Sequence, residues 1–408
     1  MPKARLSDLP DTAYRGATVL VRLDLNVPLE AGQVGDDTRI TAALPTLSYL
    51  VQRGARVVVT SHLGRPDGVD PDLSLAPVAQ RLAELLEREV AFVEKTVGPE
   101  VESAVAALQD GDILVLENTR FAPEETANDP VFAAKLAGQA DIFVQDAFGT
   151  VHRAHASTEG AARILRGRGR PAVAGLLLET ELRWLSGLTH DPAPPFVAIL
   201  GGAKISGKID VIKALLPKVD RLLVCGAMAN TFWLAKGHAV GTSLVEPARV
   251  DMARAVMEAA GDRVVLPVDA RVSTALDGSA TVRVARADDV EDDEGIGDIG
   301  PETEELFTHI VGSARTVLWN GPAGIFEEPR FATGTLAIAR MVVDAADRGA
   351  ATVVGGGDSA RAVAESGLAD RVGHVSTGGG ASLEFLAGGR LPGVAVLSEV
   401  DELDGAGA

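Results

Sequence analysis

The sequence predicts an α/β protein of two domains built on parallel sheets, and three observations point there. Short apolar, β-branched runs recur along the chain, each followed by a turn rich in Gly, Pro, Asn or His and then by a helical pattern. Strand, turn and helix alternating in this way read as parallel sheets covered on both faces. Hydrophobic residues make up 46% of the chain and aromatics only 4%, so the cores must be built from Val, Leu, Ile and Ala, which suits α/β layers. Finally, 408 residues exceed what one core usually covers, which favours two domains of roughly 200 residues each.

Taken in order, the strand-like runs of the first half are Val19 to Leu23, Val57 to Thr60, Ile113 to Leu116 and Ile142 to Val144. Those of the second half are Phe196 to Leu200, Leu222 to Cys225, Val264 to Leu266, Thr316 to Trp319 and Thr352 to Val354. An amphipathic helix is predicted over Pro77 to Val90, with Val78, Leu82, Leu85 and Leu86 on one stripe and Ser74 as an upstream cap. Gly175 to Leu188 reads as a helix, and the proline-rich stretch Thr189 to Pro195 after it reads as a domain boundary. The acidic run Asp288 to Glu294 is expected as a solvated loop, and Asp401 to Ala408 as a frayed polar terminus.

A net charge of −19 repels nucleic acid and anionic membranes at long range, so an anionic ligand must be drawn by a local group of cations. Only 8 of the 38 basic residues are lysine, and this balance resembles that of proteins from salt-rich cytoplasm, where ions screen surface repulsion. The single cysteine, Cys225, excludes an intrachain disulfide and fits a reducing compartment. No signal-type or membrane-spanning apolar stretch is visible, so a cytoplasmic protein is expected.

Open parallel sheets bind ligands beyond the carboxyl ends of their strands, and the unusual turns fall there. The first run leads into Asp24-Leu25-Asn26, the second into Ser61-His62-Leu63-Gly64-Arg65, the third into Asn118-Thr119-Arg120, and the fourth into Asp146 to His155. Arg65, Arg120 and Arg153, with His62 and His152, are thereby expected on one rim as a small anion site. Guanidinium forks suit carboxylate and phosphate oxygens. A surface salt bridge explains any one of these arginines equally well, but four turns delivering cations to one edge do not fit that reading. His152 and His155 lack the further ligands a metal site would need.

In the second half, Gly202 to Lys208 fits G-x-x-x-x-G-K after a strand, but Ile209 stands where a P-loop needs Ser or Thr for magnesium. What survives is a glycine turn with two cations, Lys204 and Lys208, suited to transferring phosphates. Gly355 to Ala360 matches G-x-G-x-x-A, but His374 to Thr377 stands where a dinucleotide site expects its ribose-binding acid. Asp358 within that turn is able to hold magnesium while neighbouring N–H groups hold phosphates.

With these residues in view, the chain resembles the phosphoglycerate kinase family over nearly its whole length. VRLDLNVPL, SHLGRP, ENTRF, DAFGTVHRAH, LGGAKISGKI, DIGPET, WNGPAGIFE, GGGDS and STGGGAS occur in the family's order. The resemblance implies two Rossmann-like domains facing a cleft, an N-terminal one over 1–174 and a nucleotide domain over 193–385. It implies a helix and linker at 175–192 between them and a segment, 386–408, returning to the first. It places 3-phosphoglycerate on Asp24, Asn26, Arg39, His62, Arg65, Arg120 and Arg153. Nucleotide falls to Lys204, Lys208, Gly226, Gly300, Asn320, Glu327, Gly356, Gly357, Asp358 and Ser359, with magnesium on Asp358. The implied reaction is reversible in-line transfer from 1,3-bisphosphoglycerate to Mg-ADP after hinge closure, in a monomer, with Arg39 and Lys204 stabilising the moving group. Departures from the common family pattern are Leu25, Gly207, Ser359 and Ala227, the last adding a Cβ near the base. A nicotinamide dehydrogenase and a non-catalytic binding protein on the same scaffold are the alternatives. The missing ribose acid weighs against the first, and the presence of Arg39, Lys204 and Asp358 against the second.

Overall fold

The structure is a computed structural model that describes residues 3–138 and 140–403. The chain divides into two compact units, one running to Leu182 and resuming at Arg390, the other spanning Arg183–Gly389. The division falls inside the helix Leu176–His190, within the stretch 175–192 expected as a linker.

The first unit carries β1 (Thr18–Arg22), a short hairpin of β2 (Leu29–Glu30) and β3 (Gln33–Val34), β4 (Arg56–Thr60), β5 (Ala91–Val93), β6 (Ile113–Leu116), β7 (Ile142–Gln145) and β8 (Ala172–Ala174). Six of these form one parallel sheet in the order β5-β6-β4-β1-β7-β8. Helices cover both faces, so the central strands are apolar on both, as near-continuous Val, Leu and Ile runs. Val19, Val21, Val57, Val59 and Val115 pack on Leu47 and Leu50 of the helix Thr38–Gln52 and on Val78 and Leu82 of the helix Ala76–Leu86. Each such fully buried side chain contributes about 1.5–3 kcal/mol. The second of these helices is shorter than its stripe suggested, because Glu87 turns left-handed (φ 52°) and closes it. Ser74 does serve its start, its Oγ accepting from Ala76 N at 3.2 Å.

The second unit contains β9 (Phe196–Leu200), β10 (Arg221–Val224), β11 (Val264–Val265), β12 (Asp269–Ser273), β13 (Arg283–Arg286), β14 (Gly295–Ile299), β15 (Thr316–Asn320), β16 (Ala351–Gly355) and β17 (His374–Val375). Its parallel sheet runs β11-β10-β9-β15-β16-β17, around a core that includes Trp319, Phe307, Ile338 and Val342. A separate antiparallel sheet, β13-β12-β14, escaped the sequence reading because its strands hold Gly and Arg rather than an apolar run. The acidic run likewise departs from expectation at its end. Glu294 is buried, ion-paired with Arg283 at 2.6 Å and accepting from Glu291 N at 3.0 Å, so it anchors the entry to β14 instead of facing water.

Of the expected polar terminus, 404–408 lie outside the described residues. Asp401 and Glu402 belong to a short helix, Val400–Leu403, whose Glu402 pairs with Arg166 at 2.6 Å.

Candidate functional site

In the first unit the candidate residues follow the carboxyl ends of four adjacent strands, β6, β4, β1 and β7. Arg120 follows β6, His62 and Arg65 follow β4, Asp24 and Asn26 follow β1, and Arg153 follows β7. Side chains tie these turns together. Asn26 Oδ1 accepts from Gly64 N at 2.8 Å, and Arg120 donates to Gly64 O at 2.6 Å. Asn118, quoted in ENTRF but given no role from sequence, donates to Leu63 O at 2.7 Å and Leu73 O at 2.9 Å, fixing the His62 turn from beneath. Arg39, on the helix Thr38–Gln52, donates to Asp24 Oδ1 at 3.2 Å and Asn26 O at 3.0 Å.

The electrostatics are one-sided. Arg22, Arg65 and Arg153 all press on Arg120, and with its burial as the larger cause they bring its pKa down to about 10, only Glu125 opposing. Among the described residues no carboxylate lies within ion-pair distance of Arg65, Arg120 or Arg153. His62 is buried and held well below the usual histidine range, first by desolvation and then by Arg22, Arg120, Arg39 and His155. Cations left unneutralised around a polar floor form an anion site. His152 and His155 do not act as a pair: His152 accepts from Arg153 Nε at 3.2 Å, whereas His155 is buried with Nδ1 4.0 Å from Glu125.

In the second unit the candidates follow β10, β9, β15 and β16, again four neighbours in the sheet, except Gly300, which follows β14 of the antiparallel sheet. Lys208 reaches across to donate to Asn320 O at 2.7 Å and Asn320 Oδ1 at 2.5 Å. Burial lowers its pKa to about 8. Lys204, by contrast, is exposed. Gly356 (φ 90°) turns the chain into the helix Gly357–Glu365, leaving Asp358 exposed in the first turn. Ser359 is buried and its hydroxyl accepts from Gly321 N at 2.6 Å, so it braces the turn after β15.

Beside these turns lies a cavity of about 280 Å³ lined by Gly226, Ala227, Trp233, Leu244, Pro322, Gly324, Ile325, Glu327, Asp298 and Asp358, among others. Its mainly apolar wall suits a flat heterocycle, with polar groups to orient it. Gly226 has φ 66°, and a Cβ there would sit 2.5 Å from Gly202 N. Ala227 causes no such conflict, since it opens the helix Ala227–Lys236 in ordinary helical backbone. Gly300 is not among the lining residues. It precedes the helix Pro301–Gly312, where a Cβ would meet the Asp269 carboxylate at 2.3 Å, so its smallness serves packing. Asp298, two residues earlier in DIGPET, lines the cavity instead, and burial pushes its carboxyl up to about 7.

The family model for phosphoglycerate kinase matches residues 9–389. The chain belongs to the phosphoglycerate kinase family. It is 54% identical to the phosphoglycerate kinase of Chloroflexus aurantiacus over 398 residues, covering 96% of this chain and 98% of that one. With the phosphoglycerate kinase of Rubrobacter xylanophilus it shares 53% identity over 394 residues, 96% of this chain and 98% of the other. The solved phosphoglycerate kinase of Coxiella burnetii superposes with a TM-score of 0.86 at 39% identity, over 97% of this chain and 98% of that one. That of Pyrococcus horikoshii OT3 gives 0.84 at 31% identity, over 99% and 100%. The protein is a phosphoglycerate kinase in fold and activity, a family that uses magnesium-bound nucleotide, and the dehydrogenase and non-catalytic alternatives fall away. Among the described residues no helix is long and apolar enough to cross a membrane.

Proposed function

We propose that the kinase binds 3-phosphoglycerate and 1,3-bisphosphoglycerate on Asp24, Asn26, Arg39, His62, Arg65, Arg120 and Arg153. ADP and ATP take the turns of the second unit. What chiefly supports this reading is the group Arg65, Arg120 and Arg153 with no carboxylate at ion-pair distance among the described residues, since an anionic substrate supplies the missing charge. The three arginines bind carboxylate and phosphate oxygens. Arg39, held by Asp24 and the backbone of Asn26, is oriented for the transferring group.

On the nucleotide side, the base takes the apolar cavity and Glu327 the ribose hydroxyls, a role that requires it to leave its ion pair with Arg361 (3.0 Å). Gly356 and Gly357 offer backbone N–H groups at a helix start to the phosphates. Lys208 and Asn320 line the phosphate path, while Lys204, free in its exposed turn, stabilises the group in transit. Ser359 and Gly300 act as supports.

The donor set fits magnesium. Magnesium commonly takes one or two protein carboxylates together with nucleotide phosphates, and an exposed carboxylate stands in the first turn of the helix Gly357–Glu365. Asp358 is that carboxylate, and the ion when bound neutralises phosphate charge. No nucleophile on the protein is needed, because transfer is direct and depends on positioning and positive charge. Transfer follows hinge closure, which also excludes water. A monomer in a salt-rich cytoplasm accords with the charge of −19 and the scarcity of lysine.

The assignment is tested by steady-state kinetics with Mg-ADP and 1,3-bisphosphoglycerate across a salt series. Lys204→Ala should lower kcat by ~100-fold or more, as for loss of one transition-state donor, while nucleotide affinity holds. An unchanged kcat would remove Lys204 from the mechanism.

A further inference from the structure

Arg22 lies against the proposed substrate residues, 3.1 Å from His62, yet holds no ligand itself. It ends β1, in the middle of the sheet, and is fully buried. Each part of its guanidinium is committed. Nε donates to Ser157 Oγ at 2.7 Å, Nη1 donates to Leu23 O, and Nη2 lies 3.1 Å from His62 Nδ1. Ser157 is fixed in turn, because its Oγ donates to Glu125 Oε1 at 2.5 Å and its N to Glu125 Oε2 at 2.9 Å.

The contact with His62 has only one chemically allowed form. A guanidinium donates and never accepts, so Nδ1 of His62 must be the acceptor and carry no proton. Both the imidazolium and the Nδ1–H tautomer would set donor against donor. Asp24 is the group that could draw a proton to Nδ1, but its Oδ1 lies 4.0 Å away, beyond hydrogen-bond reach, and is engaged by Arg39 at 3.2 Å. We propose that Arg22 is a positioning residue that locks His62 as the neutral Nε2–H tautomer, preparing a single ring N–H donor for an oxygen of the bound phosphoglycerate.

This goes further than binding by charge. Five arginines and a charged histidine would repel one another before any substrate arrived, whereas a neutral ring adds a directed donor without adding to that repulsion. The buried Glu125 balances Arg22 from behind, so the lock stands whether or not the site is filled.

The proposal rests on the assignment of His62 to the substrate, and the test separates the two. Long-range ¹H–¹⁵N correlation spectra of the histidine rings are recorded on the substrate-free protein near neutral pH, with His62→Gln assigning the signal. The expected result is a bare Nδ1 and a protonated Nε2; protonation of Nδ1, in either ring form, overturns the proposal. In Arg22→Met the ring should become a mixture of tautomers. The KM for 3-phosphoglycerate should rise by at least ~10-fold, the scale of one lost charge-assisted hydrogen bond, with the KM for Mg-ATP unchanged. Arg22→Lys should regain part of that loss. An Arg22→Met protein that folds, by circular dichroism, and keeps the wild-type ring spectrum overturns the proposal as well. If it does not fold, the wild-type spectrum decides. A locked ring together with a His62→Gln variant of normal substrate KM upholds the tautomer and removes His62 from substrate binding instead.

Discussion

Raising the pH through 8 should weaken nucleotide binding through the loss of charge on Lys208. Burial takes this lysine from 10.5 to about 8, so the free enzyme loses the cation well below the usual lysine range. Nucleotide phosphates favour the charged form, and binding must therefore raise the pKa again. The sign follows: below pH 8 the lysine is already protonated and binding leaves it so, whereas above 8 binding takes up a proton. At pH 9, one unit above that value, about nine-tenths of the lysines are neutral in the free enzyme. Affinity for Mg-ADP should consequently be about tenfold lower than at pH 7, and binding should take up roughly 0.9 proton. Calorimetric titration at pH 7, 8 and 9, in buffers of different ionisation enthalpy, measures both quantities. The Lys208→Met variant should bind more weakly at pH 7, by about 10- to 100-fold for one charge-assisted hydrogen bond, and should show neither the fall nor the proton uptake. An affinity of the wild type that is flat from pH 7 to 9, or a variant that falls as steeply, would refute the reasoning.

Two substitutions probe the supports behind the ligand positions. Gly226→Ala forces a Cβ to 2.5 Å from Gly202 N and 2.8 Å from Pro322 O, at a φ of 66° that disfavours any side chain. Mg-ADP affinity measured by fluorescence or calorimetry should drop more than ~10-fold while 3-phosphoglycerate binding persists, and a variant with normal nucleotide affinity would show that these turns separate freely. Glu125→Gln removes the carboxylate that most offsets the burial of Arg22, acting through Ser157 rather than in a direct ion pair, a loss on the scale of about 1.5–3 kcal/mol for a hydrogen bond to a charged group. Urea unfolding followed on the first unit should register it; a loss below about 1 kcal/mol would mean that Asp24 suffices as the counter-charge.

How far the sequence was legible depended on what kind of signal each residue leaves. The central parallel strands were readable because strands covered on both faces need continuous Val, Leu and Ile, and β4, β6 and β9 lie where such runs stand, whereas the short edge strands β5, β8 and β17 offer no such run and were missed. The antiparallel sheet was not, since Arg283-Val284-Ala285-Arg286 faces solvent on one side and gives no run to recognise. Polar ligand positions such as Arg120 and Asp358 declared themselves by lying in turns after strands, and Gly300 illustrates the limit of that logic. A glycine at a strand end signals a close approach but does not say of what, and here the approaching group is the Asp269 carboxylate.

The hardest residue to read was Arg22, because it sits inside a strand run where the pattern calls for an apolar side chain. Within VRLDLNVPL, inside the run Val19 to Leu23, nothing singles it out. Only the fold brings Glu125 and Ser157, more than a hundred positions downstream of β1, behind the same sheet edge, and without that buried carboxylate an arginine there would cost several kcal/mol of desolvation. A charge kept inside a sheet despite that cost is therefore a stronger pointer to function than the exposed Arg65 and Arg153 in front of it. Each of those has a bland explanation available on the surface, and Arg22 has only the site.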